Sequence, residues 1–79
     1  MSLIGDAKLQ ILLQLRKEPS HGYALADELG ISSGYIYQHL EELQDAGMIE
    51  VKESESDGRQ RTFYRLTENG QLLLKALGV

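Results

Sequence analysis

One change of period organises this chain. Up to Gly47 the apolar residues recur at helical spacing, about every 3.6 positions; directly after it they alternate with polar ones, as in a strand. A chain that switches in this way has to pack helices against a small sheet. At 79 residues it has room for one domain, 1–79, with one core.

Ile4, Ala7, Ile11, Leu12 and Leu15 predict a first helix over residues 3–17, and Leu9 and Leu13 add a second apolar strip. Arg16 and Lys17 suit its C-terminal end and Pro19 stops it. Ser20 or His21 can cap a short helix over about 22–29 with Tyr23, Ala24, Ala26 and Leu29 on its apolar face, ended by Gly30. A third helix over about 33–46 carries Ile36, Leu40 and Leu43 inward. Two helices joined by a short turn containing glycine form a helix-turn-helix. Then Met48–Lys52 and Arg61–Leu66 alternate around Asp57-Gly58, a hairpin-turn dipeptide, with Ile49, Val51, Tyr64 and Leu66 expected inward. Thr67 can cap a last helix whose apolar side is Leu73, Ala76 and Leu77. The expected fold is mostly α with a small β-hairpin (α+β), in the order α-α-α-β-β-α: a winged helix-turn-helix.

The chain has no cysteine, which excludes a disulfide scaffold, a thiolate zinc site and a cysteine nucleophile. Its apolar runs are too short to span a membrane and its opening does not resemble a secretory signal, so a cytoplasmic location is expected. Eight Lys and Arg against twelve Asp and Glu give a net charge of -4, which by itself argues against a nucleic-acid partner. The charges segregate, however, and local field outweighs the total. Residues 29–40 contain no acid, while Glu41, Glu42 and Asp45 crowd the later turns of the third helix. Four of the eight cations, Lys52, Arg59, Arg61 and Arg65, fall in the hairpin, together with Glu53, Glu55 and Asp57.

Three segments resemble the PadR-like winged-helix transcriptional regulators: Ser20-His21-Gly22-Tyr23-Ala24-Leu25; Gly34-Tyr35-Ile36-Tyr37 with Leu40, Leu43 and Gly47-Met48-Ile49; and Gly58-Arg59-Gln60-Arg61 with Tyr64-Arg65-Leu66-Thr67 and Gly70. Together they cover nearly the whole chain, in order. The resemblance implies a homodimeric DNA-binding repressor, with its third helix in the major groove and its wing on the backbone or minor groove. It is to a minimal form lacking the long C-terminal arm. That leaves the first and last helices, through Leu9, Leu13, Leu72, Leu74 and Leu77, as dimerisation candidates; a small-molecule effector is possible but unsupported.

In a helix-turn-helix the N-terminal residues of the second helix approach base edges. Here that region supplies Ser32, Ser33, Tyr35, Tyr37, Gln38 and His39. Ser hydroxyls and free helix-start N–H groups suit phosphate oxygens, although one serine is needed as a cap. Gln38, opposite the Leu40/Leu43 face, has the amide for a bidentate contact to adenine; Tyr35 suits a thymine methyl or a phosphate. Tyr37 is equally suited to core packing and to phosphate. Arg59 and Arg61 suit phosphates, or Arg59 a minor groove, unless they pair with the wing's own acids.

Catalysis is not expected. Gly30-Ile31-Ser32-Ser33-Gly34 matches the nucleophile-elbow pattern G-x-S-x-G, but it follows a helical segment and lacks the α/β sheet that motif needs. His21 and His39 are 18 residues apart with no ligand spacing around them, so neither a metal nor a cofactor is expected. The alternative to double-stranded DNA as partner is a winged helix used for protein–protein contact, which the acidic balance favours and the acid-free turn opposes.

Overall fold

The computed structural model describes residues 5–56 and 60–79, and the side chains of 5–52 and 62–79. Ile4, the Asp57-Gly58 turn, Arg59 and the Arg61 side chain lie outside these described residues. The order is α1 (Asp6–Lys17), β1 (Ser20–His21), α2 (Gly22–Leu29), α3 (Ser33–Asp45), β2 (Ile49–Ser56), β3 (Gln60–Leu66) and α4 (Glu68–Leu77). The four helices and the β2–β3 hairpin are those expected; β1 is additional. It adds an antiparallel strand to give the sheet order β1-β3-β2, pairing Ser20 with Tyr64 and His21 with Phe63.

Ten apolar side chains form the core: Ile11, Leu12 and Leu15 from α1, Leu25 from α2, Ile36, Leu40 and Leu43 from α3, then Ile49, Leu66 and Leu74. Each helix has a local start and stop. In α1, Asp6 complements the positive end and Arg16 and Lys17 the negative end of the dipole, and the chain turns extended at Glu18 ahead of Pro19. In α2, His21 Nδ1 accepts from the Ala24 N–H at 3.1 Å, and Gly30 closes the helix in the left-handed conformation at φ 66°. Thr67 Oγ1 accepts from the Gly70 N–H and donates to the Gly47 carbonyl, tying the start of α4 to the end of α3.

Three faces differ from the expected ones. The inward residues of α2 are Gly22 and Leu25, whereas Tyr23 is 71% exposed. Six of the eight residues of α2 are apolar, counting only Tyr, Ala and Leu with Gly22, so spacing alone offers two rival faces. In α4 the buried pair is Gly70 and Leu74, with Leu73 packed against the core and Ala76 exposed. Leu74, named as a dimerisation candidate, is 1% exposed and belongs to this chain's own core. Finally, Ile49 and Leu66 point inward as expected but Val51 is exposed, because the strand carries it past the cover of the helices. Beyond it the β2–β3 register shifts between Lys52 and Glu55.

Candidate nucleic-acid interface

The second helix of the helix-turn-helix, α3, begins at a capped end. Ser32 is the N-cap, its Oγ accepting from the Tyr35 N–H at 3.4 Å, so this serine serves the helix and Ser33 stands exposed beside it. Because Ile36, Leu40 and Leu43 are anchored in the core, the opposite face is fixed outward. At about 100° per residue, Gln38 lies about 200° from Ile36, in the middle of that face. Gln38 is exposed, Tyr35 is 63% exposed and Tyr37 49%.

Tyr37 is at once packed and accessible. Its ring covers Gly22 so closely that a Cβ there would come within 2.7 Å of Cε1 and Cζ, yet half of the side chain remains accessible. This contact holds α2 against α3. Next to it, burial pushes the Tyr64 phenol above its ordinary value, and the neighbouring Tyr37 adds to the shift. Tyr64 is therefore a neutral hydroxyl at physiological pH.

His39 is turned away from the middle of the outward face. Its Nδ1 lies 3.2 Å from Lys8 Nζ of α1, and Lys8 also pairs with Glu42 at 3.3 Å. That cluster neutralises one of the three acids of α3 and couples α1 to α3; His39 is half-buried in it, less suited to base contact than Gln38. Arg65 is likewise engaged: its Nε donates to Glu50 Oε1 at 2.7 Å across the β2–β3 ladder, a pairing of Glu50 with Arg65 by register. Lys52 is exposed on β2. The Arg59 and Arg61 contacts fall outside the described side chains; the backbone register sets Glu55 opposite Arg61.

Tyr23, expected on the apolar face of α2, stands outward instead. Counted as a core residue, it is the most exposed large apolar side chain described, and it borders a shallow depression of about 420 Å³ with Ala26, Asp27, Gly30, Ile31, Ser32 and Ser33. Tyr23 thus shares one depression with Ser32 and Ser33 at the start of α3. The signal was available in the competition with Leu25, which is wholly apolar and took the inward position. Among the described residues no cluster of three His, Cys, Asp or Glu can hold a metal ion, and no helix is long and apolar enough to cross a membrane.

These elements are those of a helix-turn-helix with a wing, and comparison with known proteins decides the family. Residues 11–76 match the model of the transcriptional regulator PadR-like family. The chain belongs to that family. An uncharacterized HTH-type transcriptional regulator of Methanocaldococcus jannaschii is 33% identical over 67 residues, covering 85% of this chain and 70% of that protein. Among solved structures, a PadR family transcription regulator from Clostridium difficile superposes with a TM-score of 0.84 at 25% identity, over 94% of this chain and 84% of that one. The adhesin competence repressor of Streptococcus pyogenes gives a TM-score of 0.84 at 22% identity, a likeness of fold; this chain spans 55% of its length. The chain is thus a PadR-like transcriptional regulator with the winged-helix fold. The family is one of transcriptional regulators, typically non-enzymatic.

Proposed function

We propose that this PadR-like chain is a sequence-specific DNA-binding repressor that acts in the cytoplasm as a homodimer, with residues 1–79 as one winged-helix DNA-binding domain. In this reading α3 lies in the major groove of double-stranded DNA and the β2–β3 wing touches the backbone or minor groove. Ser33, Tyr35 and Tyr37, the Ser32-capped start of α3 and Tyr23 position the phosphates, with Arg59 and Arg61 of the wing. Gln38 reads a base, adenine by its bidentate geometry. Leu9, Leu13, Leu72 and Leu77 are the dimerisation candidates.

The observation that carries the reading is the make-up of α3's exposed start: residues 29–40 hold no acid, and the side chains that emerge there are hydroxyls and an amide. Repulsion from phosphate falls instead on Glu41 and Asp45, in the turns that point away from base edges in this docking mode. With no Lys or Arg in α3, affinity per subunit is modest and dimerisation supplies the rest.

The test is fluorescence anisotropy of a labelled duplex from upstream of the protein's own gene, titrated at several salt concentrations. The expected result is binding whose log affinity falls linearly with log salt, the slope counting the phosphates neutralised. No binding at ~50 mM salt by a folded protein overturns the reading and favours a protein-interaction module with a basic partner.

A further inference from the structure

Among the described glycines only Gly5 and Gly34 meet neither a close neighbour nor a positive φ, and Gly5 is the N-cap of α1, a position glycine readily takes. Gly22 lies under the Tyr37 ring, Gly70 faces the Met48 carbonyl, and Gly30, Gly47 and Gly78 adopt positive φ. Gly34 has none of these: its φ is not positive, it lies inside α3, and a Cβ built on it meets nothing within 4 Å. Nothing in the fold requires glycine at this second residue of α3, where alanine would lose less backbone freedom on folding.

What surrounds Gly34 indicates a use outside the fold. On the α3 wheel it lies about 40° from Gln38, between Tyr35 on one side and Tyr37 on the other. Both tyrosines are large and accessible, at 63% and 49%. Gly34 leaves bare backbone on the outward face of α3, flanked on the wheel by Tyr35 and Tyr37, with Gln38 one turn further along. We propose that Gly34 is the point of closest approach of α3 to DNA, and that its missing methyl group lets Gln38 reach the base edges. This rests on the DNA-binding reading above and deepens it: the glycine determines specificity by what it leaves out. A methyl group holds the helix off by roughly 1.5 Å. A contact of about 2.9 Å between an amide and a base does not survive that displacement.

The experiment uses a duplex selected by the wild-type chain from a randomised pool, and a scrambled duplex of equal length. Wild type, Gly34→Ala and Gly34→Leu are compared for thermal stability and for affinity to both duplexes. Gly34→Ala is expected to raise Tm by about 2–6 °C. It is expected to weaken binding to the selected duplex at least ~10-fold, with a much smaller loss on the scrambled one, and Gly34→Leu to weaken it further. A raised Tm with unchanged affinity for the selected duplex overturns the role of Gly34 and leaves DNA binding standing. A lowered Tm for Gly34→Ala overturns the premise that the fold does not need the glycine. A wild-type chain that enriches no sequence overturns this inference together with the function it rests on.

Discussion

Gly70 has the tightest surroundings of the described glycines. A Cβ there would lie 2.2 Å from the Met48 carbonyl oxygen, and that oxygen is held by the Thr67 N–H at 3.1 Å, so it cannot yield as a flexible side chain would. Gly70→Ala is expected to cost about 2–4 kcal/mol, read as a lowered midpoint in urea unfolding. Thr67 is the matching polar residue: its hydroxyl serves the Gly70 N–H and the Gly47 carbonyl together. Its capping role was legible in sequence, because Thr before an apolar helical run is a common start. The need for glycine three residues on was not, since it arises from a carbonyl 22 positions earlier in the chain. Tyr64 allows a prediction on pH. Its raised value means the folded chain favours the neutral phenol, so this contribution is complete below the unfolded value of about 10 and is lost as pH rises from there through the raised folded value. Stability measured above pH ~10 should therefore fall more steeply for the wild type than for Tyr64→Phe.

At the level of elements, the helices were legible because their apolar periods are long and their ends are marked by Pro19, Gly30 and Gly47. β1 was not legible, for a plain reason: two polar residues carry no alternation, and they become a strand only because β3 offers an edge. The inward face of α2 was misread because Tyr23 was weighted as apolar body, while in the fold it keeps its hydroxyl in water and Leu25 takes the core. Tyr37 binds α2 to α3 through its ring, with its hydroxyl also lying over Gly22 while half of the residue stays exposed, and packing can be separated from binding. Tyr37→Phe keeps the ring over Gly22, so Tm should move by no more than a few degrees. Under the proposed function the same change weakens DNA binding about 3–10-fold, as expected for one hydrogen bond to a charged phosphate. Tyr37→Ala should lower both Tm and affinity. The wing arginines, Arg59 and Arg61, were legible as candidates through their crowding in the hairpin; their contacts fall outside the described side chains.

For the whole molecule, the outer apolar surface bears on assembly. Leu72 is 55% exposed on α4, while Leu9 and Leu13 of α1 are half-covered by the core. The proposed homodimer predicts a dimer by sedimentation at tens of micromolar, and Leu72→Glu is expected to shift it to monomer with unchanged helical content. A monodisperse wild-type monomer would count against it. Loss of the dimer should weaken binding to a two-half-site duplex far more than to a single half-site, because the second contact is no longer intramolecular. The two-residue strand β1 has a consequence at this scale. His21 both pairs with Phe63 of β3 and caps α2 through Ala24, its ring set edge-on to that of Phe63 at 5.3 Å. β1 thereby ties the start of α2 directly to the strand that carries the wing. Under the proposed function this junction sets the spacing between the two DNA contacts, so a half-site stretched or shortened by one base pair between them should bind more weakly or bend to fit.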